Sequence, residues 1–223
     1  MLETEKSSTI QSPLHYTLAA PARTPYPRSK RIVDVGIAAL GLIATAPFIP
    51  LIYAAVKLDS PGALFVKLNR VSGGRIIKVY KFRSMIDGAH AKKASLAHLN
   101  ERTDGPFFKI KNDPRLTKVG KVIRRFRIDE IPQLWNVLRG ELSLVGPRPH
   151  EPEEVLSYPT EYRHITLARA GVTGLSQVSG ASSLPFLKEL ELDSHYVKNQ
   201  SLAMDFKIIG RTMKILFSDP TAV

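Results

Sequence analysis

The longest apolar run in the chain lies at residues 32–56, where Asp34 is the single charge and nothing from Val35 to Val56 is charged. Wound as a helix, the uncharged part would extend roughly 33 Å, enough to match the hydrocarbon core of a bilayer. Pro47 and Pro50 interrupt it near the middle. Each removes an amide donor, leaving the carbonyls of Ile43 and Ala46 without helical partners where no water can replace them. Arg28, Lys30 and Arg31 precede the run and Lys57, Lys67 and Arg70 follow it, so positive charge favours no direction of crossing. The pattern predicts a helix that enters the membrane, bends at residues 45–50 with the Thr45 hydroxyl available to an orphan carbonyl, and returns to the same side. A straight transmembrane helix, a signal peptide cut after Ala44-Thr45-Ala46 and a buried soluble helix are the competing readings.

Elsewhere the periods are shorter. Residues 1–31 are rich in Ser, Thr and Pro and are expected to form a disordered tail with a basic end. Runs suited to strands at 63–69 and 75–82 flank Ser72-Gly73-Gly74, a hairpin signal, and the second leads into Lys81 and Arg83. Residues 88–102 are alanine-rich and expected to be helical. Asn112-Asp113-Pro114 reads as a turn. A helix over 118–127 would carry Val119, Val122, Ile123 and Phe126 on one side and cations on the other, which suits a membrane surface with acidic headgroups or, more simply, a solvated face. A further helix is predicted from an Asp129 N-cap, with Pro132 in its first turn, Ile131, Leu134 and Leu138 on one face and Gly140 as its stop. Glycines punctuate residues 170–180, a loop able to set backbone amides, Thr173 and Gln177 against a ligand. Pro185 opens a helix bearing Glu189, Glu191 and Asp193. The last helix groups Leu202, Phe206, Ile209 and Met213 as a packing face, with an interfacial role second.

Charge narrows the partners. A net charge of +12 points to nucleic acid, anionic lipid headgroups or phosphorylated small molecules. The chain has no cysteine, and its six histidines show no metal-ligand spacing, so any metal is expected to be hard and oxygen-bound, such as magnesium. The charge is densest at residues 118–149. Lys118, Lys121, Arg124, Arg125 and Arg127 precede the adjacent carboxylates Asp129 and Glu130, and Arg148 follows between two prolines. Cations and a helix N-terminus suit a phosphorylated substrate and would keep Asp129 ionised, while the carboxylates suit a divalent ion or a nucleophile. A capped helix with a solvated basic face explains the same spacing, and spacing alone does not choose.

Five segments taken in order decide more. KFRSM (81–85), DEIPQLWN (129–136), SLVGPRP (143–149), TGLSQVSG (173–180) and DFK (205–207) together resemble the bacterial sugar transferase family, the monotopic phosphoglycosyl transferases, over about residues 30–217. The resemblance implies transfer of a hexose 1-phosphate from a UDP-sugar to undecaprenyl phosphate, with release of UMP, as the first step of exopolysaccharide or glycan assembly. It implies Asp129 as nucleophile, Glu130 as magnesium ligand, and Lys81, Arg124, Arg148, Arg169 and Asp193 around the phosphates and the site. Arg83, Thr173 and Gln177 join them as substrate-binding candidates. The chain is similar to the short, single-domain form, and departs from the family pattern at Ala46, Ala170 and Ala181. The resulting expectation is a mainly helical α+β fold: a re-entrant membrane helix at 32–56, a small β-hairpin, and amphipathic interfacial helices around a cytosolic active site in 57–223. The protein is placed on the cytoplasmic face of a bacterial inner membrane, with anionic lipids as partners, no nucleic acid and room for a homo-oligomer. An inactive membrane-bound scaffold of the same family and a basic nucleic-acid-binding protein are the alternatives.

Overall fold

A computed structural model describes residues 25–218; the first 24 residues of the expected tail lie outside the described part. Helix α1 (Arg28–Thr45) passes through a 3-10 turn (Ala46–Phe48) into α2 (Ile49–Asp59). The helix thus begins at Arg28, not Ile32, and Arg28, Lys30 and Arg31 belong to it instead of to a tail. The reason is Lys30: it is 3% exposed, and its ammonium lies 2.7 Å from Asp205. At the break, the 3-10 winding lets the Ile49 amide reach the Ala46 carbonyl, so that carbonyl is not orphaned. The Thr45 hydroxyl does not serve one either. It donates to Gly41 O (2.7 Å) and Leu42 O (3.3 Å), a back-bonding that bends helices.

Strands β1 (Phe65–Ser72) and β2 (Arg75–Phe82) form an antiparallel hairpin in which Ser72 faces Arg75. Gly73 and Gly74, with φ of 58° and 70°, supply the two left-handed residues that such a two-residue turn needs. A strap of residues 83–117 follows, with one regular segment. The alanine-rich stretch winds only as a 3-10 helix (Ala91–Leu99) with no buried residue, as expected where polarity is spread around the helix and no face can be packed.

Helix α3 (Lys118–Arg125) is capped by Thr117, whose hydroxyl accepts from the Gly120 amide at 2.9 Å. Its apolar side is split: Ile123 is buried, while Val122 and Phe126 are about half exposed. The helix expected from Asp129 is shorter than its pattern. Residues Ile128–Glu130 form a 3-10 turn, and α4 spans only Gln133–Leu138, so Asp129 is not its N-cap. The amides of Leu134 and Trp135 bond three residues back, to Ile131 and Pro132, and α-winding starts only after Pro132. Gly140, at φ 72°, ends it as expected.

The remaining elements are β3 (Ser143–Val145), α5 (Pro152–Leu156), a 3-10 stretch (Thr160–Leu167), β4 (Gly171–Thr173), a 3-10 turn (Ala181–Ser183), α6 (Phe186–Lys198) and α7 (Leu202–Ser218). Strands β3 and β4 pair in parallel, Ser143 with Gly171 and Val145 with Thr173. The glycines of the 170–180 segment serve this junction. A Cβ on Gly171 would fall 2.1 Å from Gly146 N, and one on Gly174 2.2 Å from Gly146 O, so the two backbones approach as closely as glycine allows. Helix α7 buries Asp205 and Ile208 and packs Ile209 of the expected face partly buried against the core, but leaves Phe206 and Met213 about half exposed, so the face is turned from the expected one. Asp205 is drawn inward by Lys30 and by the Tyr196 hydroxyl, 2.6 Å away, and the helix turns with it.

The main core gathers Ala38 of α1, Ile77 and Val79 of β2, Val137 of α4, Leu142 and Val145, Tyr196 and Ile208. A second core joins Phe107 of the strap to Val71, Tyr158 and Phe186, and a third packs Val56 of α2 with Phe82 and Ile123. Both halves of the apolar helix are therefore attached to one mainly helical α+β body.

Candidate active site

Along β2, side chains of alternate residues share a face. Ile77 and Val79 are buried in the main core, and Lys81 continues the same face to its edge. There its ammonium lies 2.7 Å from Glu130 Oε1 and 3.7 Å from Asp129 Oδ2. The 3-10 turn that presents the two carboxylates follows Arg127, a non-glycine residue in the left-handed region at φ 53°. Strain of this kind persists where surrounding structure imposes it, as at functional sites.

Arg124 reaches the site from α3, oriented by a hydrogen bond from its Nε to Ser84 Oγ at 2.9 Å. The approach of α3 to this strand end requires Gly120, since a Cβ there would fall 1.8 Å from Ser84 O. Arg148 arrives from the other side, after β3. Its backbone amide donates to Asp193 Oδ2 (3.1 Å), and Asp193 Oδ1 accepts from Ser176 Oγ (2.7 Å).

The two carboxylates are not equivalent. Burial pushes Glu130 up, but Lys81 on it, with Arg148 and Arg127 beyond, pulls harder and holds it below the usual glutamate range. Asp129 is 4% exposed. Burial raises its pKa, and Glu130 adds to the rise against the opposing pull of Lys81 and Arg124. The helix terminus expected to favour the ionised form of Asp129 is not there, and the cations that do act on it, Lys81 and Arg124, oppose the effect of burial. A carboxylate of raised basicity is a better nucleophile once ionised, and an ionised neighbour suits a metal.

Glu130 could supply one ligand of a magnesium shell but not the whole of it. Among the described residues no three acidic or histidine side chains converge, and magnesium is commonly held by one or two carboxylates with substrate phosphates and water completing the octahedron.

Of the expected substrate-binding residues, Lys81, Arg124 and Arg148 thus converge electrostatically on the Asp129–Glu130 pair, and Asp193 stands behind Arg148. The others have partners of their own. Arg83 is 3% exposed and donates to the carbonyls of Val56 and Ser60, closing the end of α2. Arg169 stacks 3.9 Å over the Tyr26 ring. Thr173 shares a hydrogen bond with Thr212, and the Gln177 amide donates to Val172 O. The loop around them packs inward because glycine-lined backbones meet there. Ser84 and Ser176 were missed: both lie inside motifs, but nothing in their spacing tells that they orient an arginine and its anchor.

The family model for bacterial sugar transferases matches residues 26–219. The chain is similar to the galactosyl transferase CpsE of Streptococcus agalactiae, with 39% identity over 84% of this chain and 42% of that protein. It is similar to the exopolysaccharide production protein ExoY of Sinorhizobium fredii, with 38% identity over 83% of this chain and 84% of that one. To the undecaprenyl-phosphate galactose phosphotransferase of Salmonella typhimurium the identity is 36%, over 84% of this chain and 40% of that protein. The chain therefore spans under half the length of the first and third of these relatives, and most of the second.

Proposed function

The chain belongs to the bacterial sugar transferase family, and on that premise we propose that it transfers a hexose 1-phosphate from a UDP-sugar to undecaprenyl phosphate. The observation that carries the reading is the pair Asp129–Glu130, one buried and basic, the other held ionised, beneath Lys81 and within the field of Arg124, Arg127 and Arg148.

Asp129 attacks the phosphorus that bears the sugar. A bond forms between its carboxylate oxygen and that phosphorus, and the bond to the bridging oxygen breaks, its electron pair leaving with UMP. An oxygen of the lipid phosphate then attacks the same phosphorus and returns Asp129 to its ionised form. No net proton is transferred in either step. Lys81, Arg124 and Arg148 hold the charged phosphoryl oxygens and stabilise the charge that collects on them. Glu130 would hold magnesium, whose contribution when bound is to neutralise the diphosphate.

The apolar helix supports a position on the membrane that serves this chemistry. Its entering end is tied to the body by Lys30 and by Arg31, which donates to the carbonyls of Val137 and Leu138. Its leaving end is tied by Arg83 and by Asp59, which accepts from Val119 N at 2.8 Å. A straight crossing would set those ends on opposite sides of the bilayer, whereas a re-entrant helix keeps both with the body. We place that body on the cytoplasmic face of the inner membrane, where UDP-sugars are made.

Purified protein given a panel of UDP-sugars and magnesium, but no lipid, should release UMP in a burst equal to the enzyme concentration. It should gain a hexose-phosphate mass on the peptide containing Asp129, and Asp129→Asn should show neither. Turnover that requires both substrates at once, with no adduct trapped, would replace this route by direct transfer.

A further inference from the structure

Asn136 is fully buried, and its side chain has polar partners on three sides. Its Oδ1 accepts from the Tyr80 amide at 3.0 Å, and its Nδ2 donates to Lys78 O at 2.8 Å and to Glu141 Oε2 at 2.6 Å. Lys78 and Tyr80 lie on β2. In the hairpin register Ile77 pairs with Arg70 and Val79 with Leu68, so the backbone groups of the alternate residues Lys78 and Tyr80 turn away from β1 to the outer edge. A buried strand edge needs partners. Here one side-chain amide supplies both a donor and an acceptor, bonding the residues on either side of Val79 as a neighbouring strand would.

The consequence reaches the reacting pair. Asn136 stands on α4, six residues after Glu130, and the strand it stitches carries Lys81 one residue beyond Tyr80. We propose that Asn136 is a positioning residue that sets where the Lys81 ammonium stands against Asp129 and Glu130. Hydrophobic packing of Val79 on Val137 holds the strand and the helix together, but apolar contact leaves sliding along the strand cheap, whereas two hydrogen bonds of opposite polarity fix the register. Glu141 sets the direction of the amide. Its carboxylate accepts from Nδ2, so the reversed orientation would oppose two acceptors. The Asn136 carbonyl in turn accepts from the Glu141 and Leu142 amides at 2.9 and 3.3 Å, closing the turn after α4. This role rests on the transferase reading only for its effect on turnover; the geometry of Lys81 stands apart from it.

Asn136→Asp is the sharpest variant, because a carboxylate there faces Lys78 O and the Glu141 carboxylate with no proton to offer. Full-length protein in detergent, labelled with 15N at lysine Nζ, reports the Lys81 ammonium, assigned by its loss in Lys81→Arg. In Asn136→Asp the Lys81 resonance should leave its wild-type position as the 2.7 Å contact with Glu130 is lost, and kcat for UMP release should fall roughly ten- to hundredfold with KM changed less. Should this variant fail to fold, Glu141→Leu decides. It removes the second acceptor of Nδ2, at a residue whose other side-chain partner, Arg139, is half exposed. It should move the Lys81 resonance in the same direction by less. A folded variant whose Lys81 resonance matches the wild type overturns the proposal. If the Lys81 resonance moves but the wild type itself turns over no UDP-sugar, the transferase reading falls and the positioning role stands.

Discussion

Asp193 shows how a single buried group can be read in both energy and pH. It is 1% exposed, and burial pushes its pKa up to about 7, against the favourable hydrogen bonds from Ser176 and the Arg148 amide. A carboxyl that binds its proton more tightly folded than unfolded adds stability that is complete below the unfolded value near 4 and is lost as pH rises through about 7. The shift is worth on the order of 4 kcal/mol. Asp193→Asn removes the titration while keeping both contacts, since an amide oxygen can accept from Arg148 N and its nitrogen can donate to Ser176. Thermal melts of the two proteins should be closest below pH 4 and separate progressively up to pH 8 with the variant the more stable; a gap that does not change with pH would refute it. In the sequence, Asp193 stands with Glu189 and Glu191 as one acidic group on a helix. Burial separates them: Glu189 pairs with Arg102 at 2.5 Å, Glu191 with Lys188 at the surface. Sequence spacing fixes which residues share a helix face, but which face is buried depends on partners such as Arg102 and Ser176, 87 and 17 residues away.

At the scale of elements, the apolar helix was legible because its signal is local. An uncharged run and two prolines report length and break without reference to the rest of the chain. Its start was not, because Lys30 and Asp34 become helical core only through Asp205, Ser143 and Tyr196, which lie more than a hundred residues on. The short 3-10 turn at Asp129 was hidden for a related reason. The capping pattern for an α-helix was present, but the turn is set by the left-handed Arg127 and by Lys81 on a different strand. The clamps at both ends of the helix make topology testable. Ser29, in the first turn of α1, and Pro61, just past α2, are both exposed, so cysteines placed there one at a time can react if reached. In intact cells both should resist an impermeant thiol reagent, and both should label once the membrane is opened. Replacing Pro47 and Pro50 together with leucine restores two amide donors and favours a straight helix, and labelling should then appear at one site from outside. Outside labelling of one site in the unmodified protein would mean a true crossing.

For the whole molecule, two forces could hold the chain to a membrane, and their sizes differ. On the apolar helix Ile32, Leu40, Ile43, Phe48, Leu51 and Leu58 are each 60% exposed or more. Burying six such side chains in lipid is worth on the order of 10 kcal/mol. The net charge of +12 attracts acidic headgroups, at roughly 1 kcal/mol for each basic residue close to the surface. Many of those cations are already engaged: Lys30, Arg31, Lys81, Arg83, Arg102 and Arg115 all bond within the protein. Part of the positive charge that suggested a nucleic-acid or lipid partner is therefore engaged in closing helix ends and holding the carboxylate pair, a use that composition cannot reveal. Apolar burial should accordingly decide retention, and charge should decide substrate affinity. Raising salt from 0.1 M to 1 M shortens the screening length from about 10 Å to about 3 Å. A 1 M salt wash should leave the protein in the membrane fraction, with release only on adding detergent. On the proposed reading the same salt should raise the apparent KM for the UDP-sugar severalfold, because the phosphates would meet Arg124, which is exposed, and Arg148. Release by salt alone would make the surface charge the true anchor and reduce the apolar helix to a packing element of the body.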